Sequence, residues 1–353
     1  MMKQLSQILA EIKPVEPEWL TQAQERLDSL TKPIGSLGRL EELAARYVAM
    51  RGELFPRLER KQVVVFAADH GVVAEGVSAY PQDVTHQMVL NFLRGGAGIN
   101  VLARHAGAVV EVVDIGVNHD FADYPGLISR KVAYGSRNMA QEPALTLQEA
   151  LQAVLVGVER AQAAIAQGAD VLAAGDMGIG NTSPAAALGA IFTGKPASTV
   201  TGRGTGIDDK VWSHKVAVIN RALELHRPDA NNPLEALAKV GGLEIGGIAG
   251  FILGAAAGRR PLLLDGFIAT AGALVAAALA PAVTDYLIAA HRSLEAGHQI
   301  MLDTLGLKPL LNFQMRLGEG TGAALGMGLL EAGVKIYHEM ATFAEAGVTE
   351  KQP

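Results

Sequence analysis

The sequence predicts an α/β protein built on a parallel sheet with helices on both faces, and three observations carry that reading. Apolar runs of strand length recur along the chain, each closing on an acidic or glycine-bearing turn that opens a helical pattern. The segments between them include amphipathic helices, so strands and helices alternate, as a covered parallel sheet requires. Neither a fixed-period repeat nor a low-complexity linker interrupts the series.

In chain order, the first strand is read in "VVVFAADHG" at 63–71, which ends on Asp69 and His70. The second, "VVEVVDIGV" at 109–117, ends on Asp114. A long helix follows in "TLQEALQAVLVGVERAQAAIA" at 146–166, where Thr146 and Glu149 have the spacing of a capping box. "DVLAAGDMGIGNTSPAAALGA" at 170–190 reads as a strand, a glycine-rich loop with Asp176, and a helix opening near Ser183 or Pro184. "PLLLDGFIATAGALVAAALA" at 261–280 repeats the unit with Asp265 at the turn. Both ends of the chain, "QAQERLDSLTKP" and "GLLEAGVKIYHEMATFAEAG", carry helical patterns without strands. They are expected to pack together as a smaller helical domain, 1–55 with 326–353, beside a catalytic α/β domain over 56–325.

Bulk properties exclude several function classes. With 353 residues the chain can bury a large core. A net charge of −6 and no Lys/Arg run argue against a nucleic-acid surface, which leaves small molecules as partners. The absence of cysteine removes disulfides, thiolate metal sites and a cysteine nucleophile, and fits a reducing compartment. The opening residues carry acids and no apolar core segment, so no signal peptide is read there and the expected location is cytoplasmic. "FIATAGALVAAALAPAV" at 267–283 is alanine-rich, contains Pro281 and is flanked by Asp265 and Asp285, which marks a buried helix rather than a membrane span. The glycine spacing of "GFILG" at 250–254 is read as close helix packing.

In sheets of this kind ligands bind beyond the carboxyl ends of the strands. Asp69 with His70, Asp114, Asp176, Asp265 and Glu319 fall at such junctions. Any one acid there is explained as a helix cap, but five with the same chemistry point to a shared site. The loop "GDMGIGNTSP" at 175–184 offers backbone N–H groups to a phosphate, yet it lacks the Gly-Lys-Ser/Thr ending of a Walker A loop and the order of the dinucleotide fingerprint. An acid inside it favours a monophosphate, with Asp176 turned to a sugar. "TGRGTGIDDK" at 201–210 adds Arg203, with Lys210 and Lys215 nearby. His70 and His291 have no metal-ligand spacing, and no G-x-S-x-G elbow occurs, so neither a metal nor a serine nucleophile is expected.

Six motifs in order, "LTKPIGSLGRLEELA" (30–44), "AADHGVVAEGVSAYPQDVT" (67–85), "GDMGIGNTSPAAA" (175–187), "KVGGLEIGGIAGFILGAA" (239–256), "LLLDGF" (262–267) and "MRLGEGTGAALGM" (315–327), resemble the nicotinate-nucleotide:dimethylbenzimidazole phosphoribosyltransferase family, often called CobT. The resemblance implies a Rossmann-like parallel sheet, a small helical domain made from both termini, and a homodimer with its active site near the subunit interface. It also implies a reaction. The phosphoribosyl group of nicotinate mononucleotide moves to a benzimidazole, giving α-ribazole 5′-phosphate for the lower-ligand arm of cobalamin, with no cofactor. By motif, Glu319 matches the catalytic base. Asp176, Gly178, Gly180, Asn181 and Thr182 match the ribose and phosphate region, and Lys215 and Ser293 match positions near the phosphate. Asp176 stands where the family pattern often has Glu. Tyr80 and Met88 fall where part of the base pocket is expected.

The implied chemistry gives the glycine frame of Glu319 a use. A pyridinium leaves as a neutral ring, so one carboxylate suffices to take the proton of the attacking benzimidazole. Gly318 and Gly320 would let a flat ring approach, and a helix N-terminus would keep Glu319 ionised at some loss of basicity. A nicotinamide-dependent oxidoreductase would share the sheet but needs the dinucleotide fingerprint, which is absent. A non-catalytic nucleotide-binding regulator would keep the phosphate loops but has no use for a carboxylate in that frame.

Overall fold

The computed structural model describes residues 1–204 and 206–349. Six strands form one parallel sheet: β1 Lys61–Ala68, β2 Ala108–Gly116, β3 Leu127–Ser129, β4 Val171–Met177, β5 Leu262–Leu264 and β6 Leu287–Ala289. Their spatial order is β3-β2-β1-β4-β5-β6. All five pairings are parallel. β1 is buried along its whole length because it lies at the centre with helices on both faces, which is why it reads as a continuous apolar run rather than an alternating one. The four strands expected from sequence are β1, β2, β4 and β5. The edge strands β3 and β6 are three residues each, too short to show a period.

The strand order reverses between β1 and β4, the place where sheets of this kind bind ligands beyond the carboxyl ends of their strands. Register brings the acids level: Ala67 pairs with Asp114 on one side, and Phe66 with Asp176 on the other. The helix Leu147–Ala166 starts at Thr146 with the expected capping box. It packs against the helix Leu243–Ala257 so closely that a Cβ on Gly250 would stand 1.8 Å from the Val154 carbonyl oxygen, so the 250–254 glycines do serve helix packing. The helix Phe267–Leu279 ends before Pro281, and no helix among the described residues is long and apolar enough to cross a membrane.

The helices Pro17–Ser29 and Arg39–Arg51 meet the far end of the helix Thr321–Glu339 around a separate apolar cluster that includes Ala23, Leu27, Val48 and Tyr337. The first turns of that same helix, Thr321–Glu339, belong to the main core through Ala323, Ala324 and Met327. One continuous helix therefore runs from the sheet to the terminal cluster, across position 326. Its N-terminus carries the Glu319 loop to the carboxyl end of β4.

Candidate active site

Glu319 sits in a run of three left-handed residues, Gly318 at φ 81°, Glu319 at 64° and Gly320 at 93°. A glutamate is strained in that region, and two glycines confine the cost to one residue. The turn presses on the sheet: a Cβ at Gly175 of β4 would lie 2.1 Å from the Glu319 carbonyl oxygen, and one at Gly320 would lie 2.8 Å from Val63. The glycine frame thus serves the backbone and its seat on β1 and β4, rather than only clearing room for a ring.

The Glu319 side chain turns away from its own helix. Its Oε2 accepts the Ile99 N–H at 3.0 Å, at the start of the helix Gly98–Ala106. The carboxyl is buried, and burial raises its pKa against the opposing N–H groups of Ile99 and Gly98, with Asp265 adding to the rise. The expectation of a base held at low pKa by the helix it precedes is corrected on both points. The dipole involved is that of another helix, and desolvation outweighs it, which makes Glu319 a stronger base.

Asp176 lies next to this turn, with a Cβ at Gly318 placed 3.1 Å from its Oδ1. Its Oδ2 accepts from Asn181 Nδ2 at 2.9 Å. Burial holds its pKa well above the usual carboxylate range, helped by the nearby charges of Asp265, Glu244 and Glu319 and opposed by Asn181. Burial therefore favours the protonated form of Asp176, the form that can donate a hydrogen bond. The helix opens at Thr182, one residue before the expected start.

A small cavity of about 40 Å³ is lined by Gly178, Gly180, Asn181, Thr182, Arg203 and Lys215, among others. Lys215, on the helix Asp209–His226, is buried and donates to Thr182 Oγ1 at 2.6 Å. Burial pulls its pKa down to about 8 against the pull of Glu295. Arg203 reaches the same cavity from an exposed position, paired with Asp209.

The other acids hold backbone. Asp69 Oδ2 accepts from Asn118 N–H at 2.7 Å, and Asp114 accepts from Val117 N–H at 2.9 Å and pairs with Lys131. Asp265 accepts from Gly320, Gly322 and Ala323, so it caps the helix Thr321–Glu339. The loops of all five acids lie at one end of the sheet; Asp265 caps a helix there, while Asp69 and Asp114 hold N–H groups of the turn after β2. Ser293 is buried, and its Oγ accepts from Glu295 N–H at 3.3 Å. Tyr80 stands 51% exposed, and Met88 is half-buried against the main core on the helix Val84–Leu93. His70 pairs with Glu244 at 2.8 Å, both fully buried behind the glycine loop.

Sequence reasoning missed Glu295, Glu244 and the Gly98–Ile99 N–H groups. Glu244 stands inside the quoted "KVGGLEIGG" segment, where an acid amid glycines at a helix start was the available signal. Glu295 and the two N–H groups have no local signature, since their roles arise from segments far apart in the chain. Among the described residues no group of three or more His, Asp or Glu side chains could hold a metal ion.

The family model described as "DBI_PRT: Phosphoribosyltransferase" matches residues 12–348. The chain belongs to this phosphoribosyltransferase family. It is 60% identical over 346 residues to the nicotinate-nucleotide–dimethylbenzimidazole phosphoribosyltransferase of Geobacter sulfurreducens, covering 98% of each chain. It is 58% identical over 351 residues to the enzyme of that name from Chloroflexus aggregans, covering 99% of each. A crystal structure described as CobT from Thermus thermophilus superposes with a TM-score of 0.91 at 54% identity, over 95% of this chain and 100% of that one. The expectation of a parallel α/β sheet flanked by helices is borne out by that likeness.

Proposed function

We propose that this protein transfers the phosphoribosyl group of nicotinate mononucleotide to 5,6-dimethylbenzimidazole, releasing nicotinate and forming α-ribazole 5′-phosphate for the lower ligand of cobalamin. The observation that carries this reading is one buried, N–H-anchored carboxylate, Glu319, beside a loop and a buried lysine suited to a monophosphate. The phosphate would rest against the 178–182 loop, with Lys215 opposite it and Ser293 and Arg203 at the margin. Asp176 would donate to a ribose hydroxyl.

The attacking benzimidazole nitrogen forms the new bond to the anomeric carbon as the bond to the pyridinium nitrogen breaks, and nicotinate keeps that electron pair. The proton on the second benzimidazole nitrogen passes to Glu319, which an elevated pKa equips to receive it. Attack opposite the leaving ring inverts the carbon, so a β-nucleotide gives an α-product. Tyr80 and Met88 are proposed for the rim of the base pocket, and the terminal helices for a smaller helical unit.

A cytoplasmic homodimer is the proposed state. In support of the dimer, Leu294, Phe313 and Leu317 expose 54%, 64% and 60% of their surface, with Leu294 and Leu317 on loops that reach the site. Incubation with nicotinate mononucleotide and dimethylbenzimidazole, followed by chromatography, tests the reading. Both nicotinate and α-ribazole phosphate are expected, and Glu319→Gln should lower the rate by roughly 10² to 10⁴ with nucleotide binding unchanged. Folded wild-type protein that makes neither product would overturn it.

A further inference from the structure

We propose that Asp265 is a positioning residue for the reaction, setting the Glu319 carboxylate in place through the backbone and tuning it as a base by its charge. This rests on the reading of Glu319 as that base. Asp265 follows β5 and is buried. Its Oδ1 accepts from Gly322 N–H at 2.6 Å and from Ala323 N–H at 3.1 Å, while Oδ2 accepts from Gly320 N–H at 3.1 Å. Three donors on one carboxylate bracket the residue immediately after Glu319 and the first turn of the helix beyond it. His291 Nε2 stands 3.6 Å from Oδ1, on the side of Gly322.

This contact does more than cap a helix. Glu319 occupies a left-handed conformation that a non-glycine residue avoids, so a restraint must hold the turn against relaxation. Asp265 grips the turn from the β5 side, and the Ile99 N–H grips its side chain from the opposite side. Releasing either swings the carboxylate relative to the substrate. With its oxygens held by three N–H groups, Asp265 is not free to bind ligand, so its influence on the reaction runs through Glu319.

Charge supplies the second half. The ionisable groups around Glu319 are Asp265 after β5 and Asp176 on β4. Glu244 and His70 lie behind Asp176, and His291 lies behind Asp265. The helix Gly98–Ala106 presents the N–H groups of its first turn. The charge of Asp265 acts on Glu319 in the direction of a stronger base. A neutral side chain there leaves burial alone to oppose the N–H groups of Gly98 and Ile99 and weakens the base.

The test is Asp265→Asn beside Asp265→Glu, with Glu319→Gln as reference, assayed with nicotinate mononucleotide and dimethylbenzimidazole across pH. In Asp265→Asn the amide oxygen can keep Gly322 and Ala323, but its NH₂ then faces the Gly320 N–H, donor against donor. The expected result is a fall in kcat of roughly 10- to 100-fold, as for a reacting group displaced by about an ångström. The KM for the nucleotide should stay near wild type, and the acidic limb of the kcat profile should move to lower pH. Asp265→Glu keeps the charge, so it should lose kcat while its limb stays in place. A merely structural cap would lower the melting temperature and the amount of active enzyme without moving the limb. An unmoved limb in folded Asp265→Asn, or an unchanged kcat, overturns the proposal. If Asp265→Asn does not fold, Asp265→Glu decides: a shifted limb or an unchanged kcat in that variant also overturns it. A harmless Glu319→Gln would instead remove the reading of Glu319 itself.

Discussion

Lys215 offers the sharpest quantitative test of the proposed phosphate site. Burial moves its pKa from 10.5 to about 8, with Glu295 pulling the other way. That drop corresponds to about 3 kcal/mol by which the pocket disfavours the ammonium. A bound phosphate dianion would supply the missing counter-charge, so the cost falls on the free enzyme and disappears in the complex. The alkaline limb should therefore appear in kcat/KM for the nucleotide, which reports free-enzyme groups, and not in kcat. Above pH 8, kcat/KM should fall about tenfold per pH unit while kcat stays level, and the phosphate, whose second pKa is about 6, does not titrate in that window. Lys215→Arg keeps its charge throughout and should abolish the limb, with a poorer fit to a pocket built for an ammonium. Lys215→Met should raise the nucleotide KM and leave the KM for the base almost unchanged. The assay is initial rate against nucleotide concentration from pH 6.5 to 9.5. A kcat/KM level to pH 9.5, or a limb that survives in Lys215→Arg, would refute the placement of Lys215 at the phosphate.

Two further outcomes follow from buried ionisable groups. Because the folded pKa of Asp176 is raised, the wild type loses stability as pH rises from the ordinary carboxylate range through that raised value. Asp176→Asn should thus raise the melting temperature at pH 7, with the gain fading in acid. An amide can also accept from Asn181 and donate to a ribose, so the nucleotide KM should barely change, whereas Asp176→Ala should raise it; a lower melting temperature for Asp176→Asn at pH 7 would count against a neutral acid. His298 accepts the Ser293 N–H on Nδ1 at 2.8 Å, so its proton sits on Nε2 and faces Thr270 Oγ1 at 2.9 Å. Burial pushes its pKa down to about 3, so this group costs stability as pH falls from 6.5 toward 3, by at most about 1.4 kcal/mol per pH unit. Denaturant melts should show the acid loss reduced in His298→Gln, and an identical pH slope in both proteins would refute the assignment.

Much of this architecture was legible in the chain itself. Strands buried on both faces leave a continuous apolar run, so β1, β4 and the buried end of β2 declared themselves, and the Thr146–Glu149 cap is a contact three residues long. The order of motifs carried the family, and the acids at strand ends marked the end of the sheet where a site lies. Tertiary structure decided what each acid does there. A sequence shows that Asp69, Asp114, Asp176, Asp265 and Glu319 follow strands or open helices, but not whether a carboxylate turns back to an N–H or forward to a cavity. That depends on loops brought together from 98, 175, 265 and 319, whose separation along the chain leaves no local pattern. Desolvation is equally nonlocal. The same carboxylate is an ordinary acid in water and a raised one when the sheet, two helices and its neighbours' charges exclude solvent, which is why the proton affinities of Glu319 and Asp176 belong to the fold.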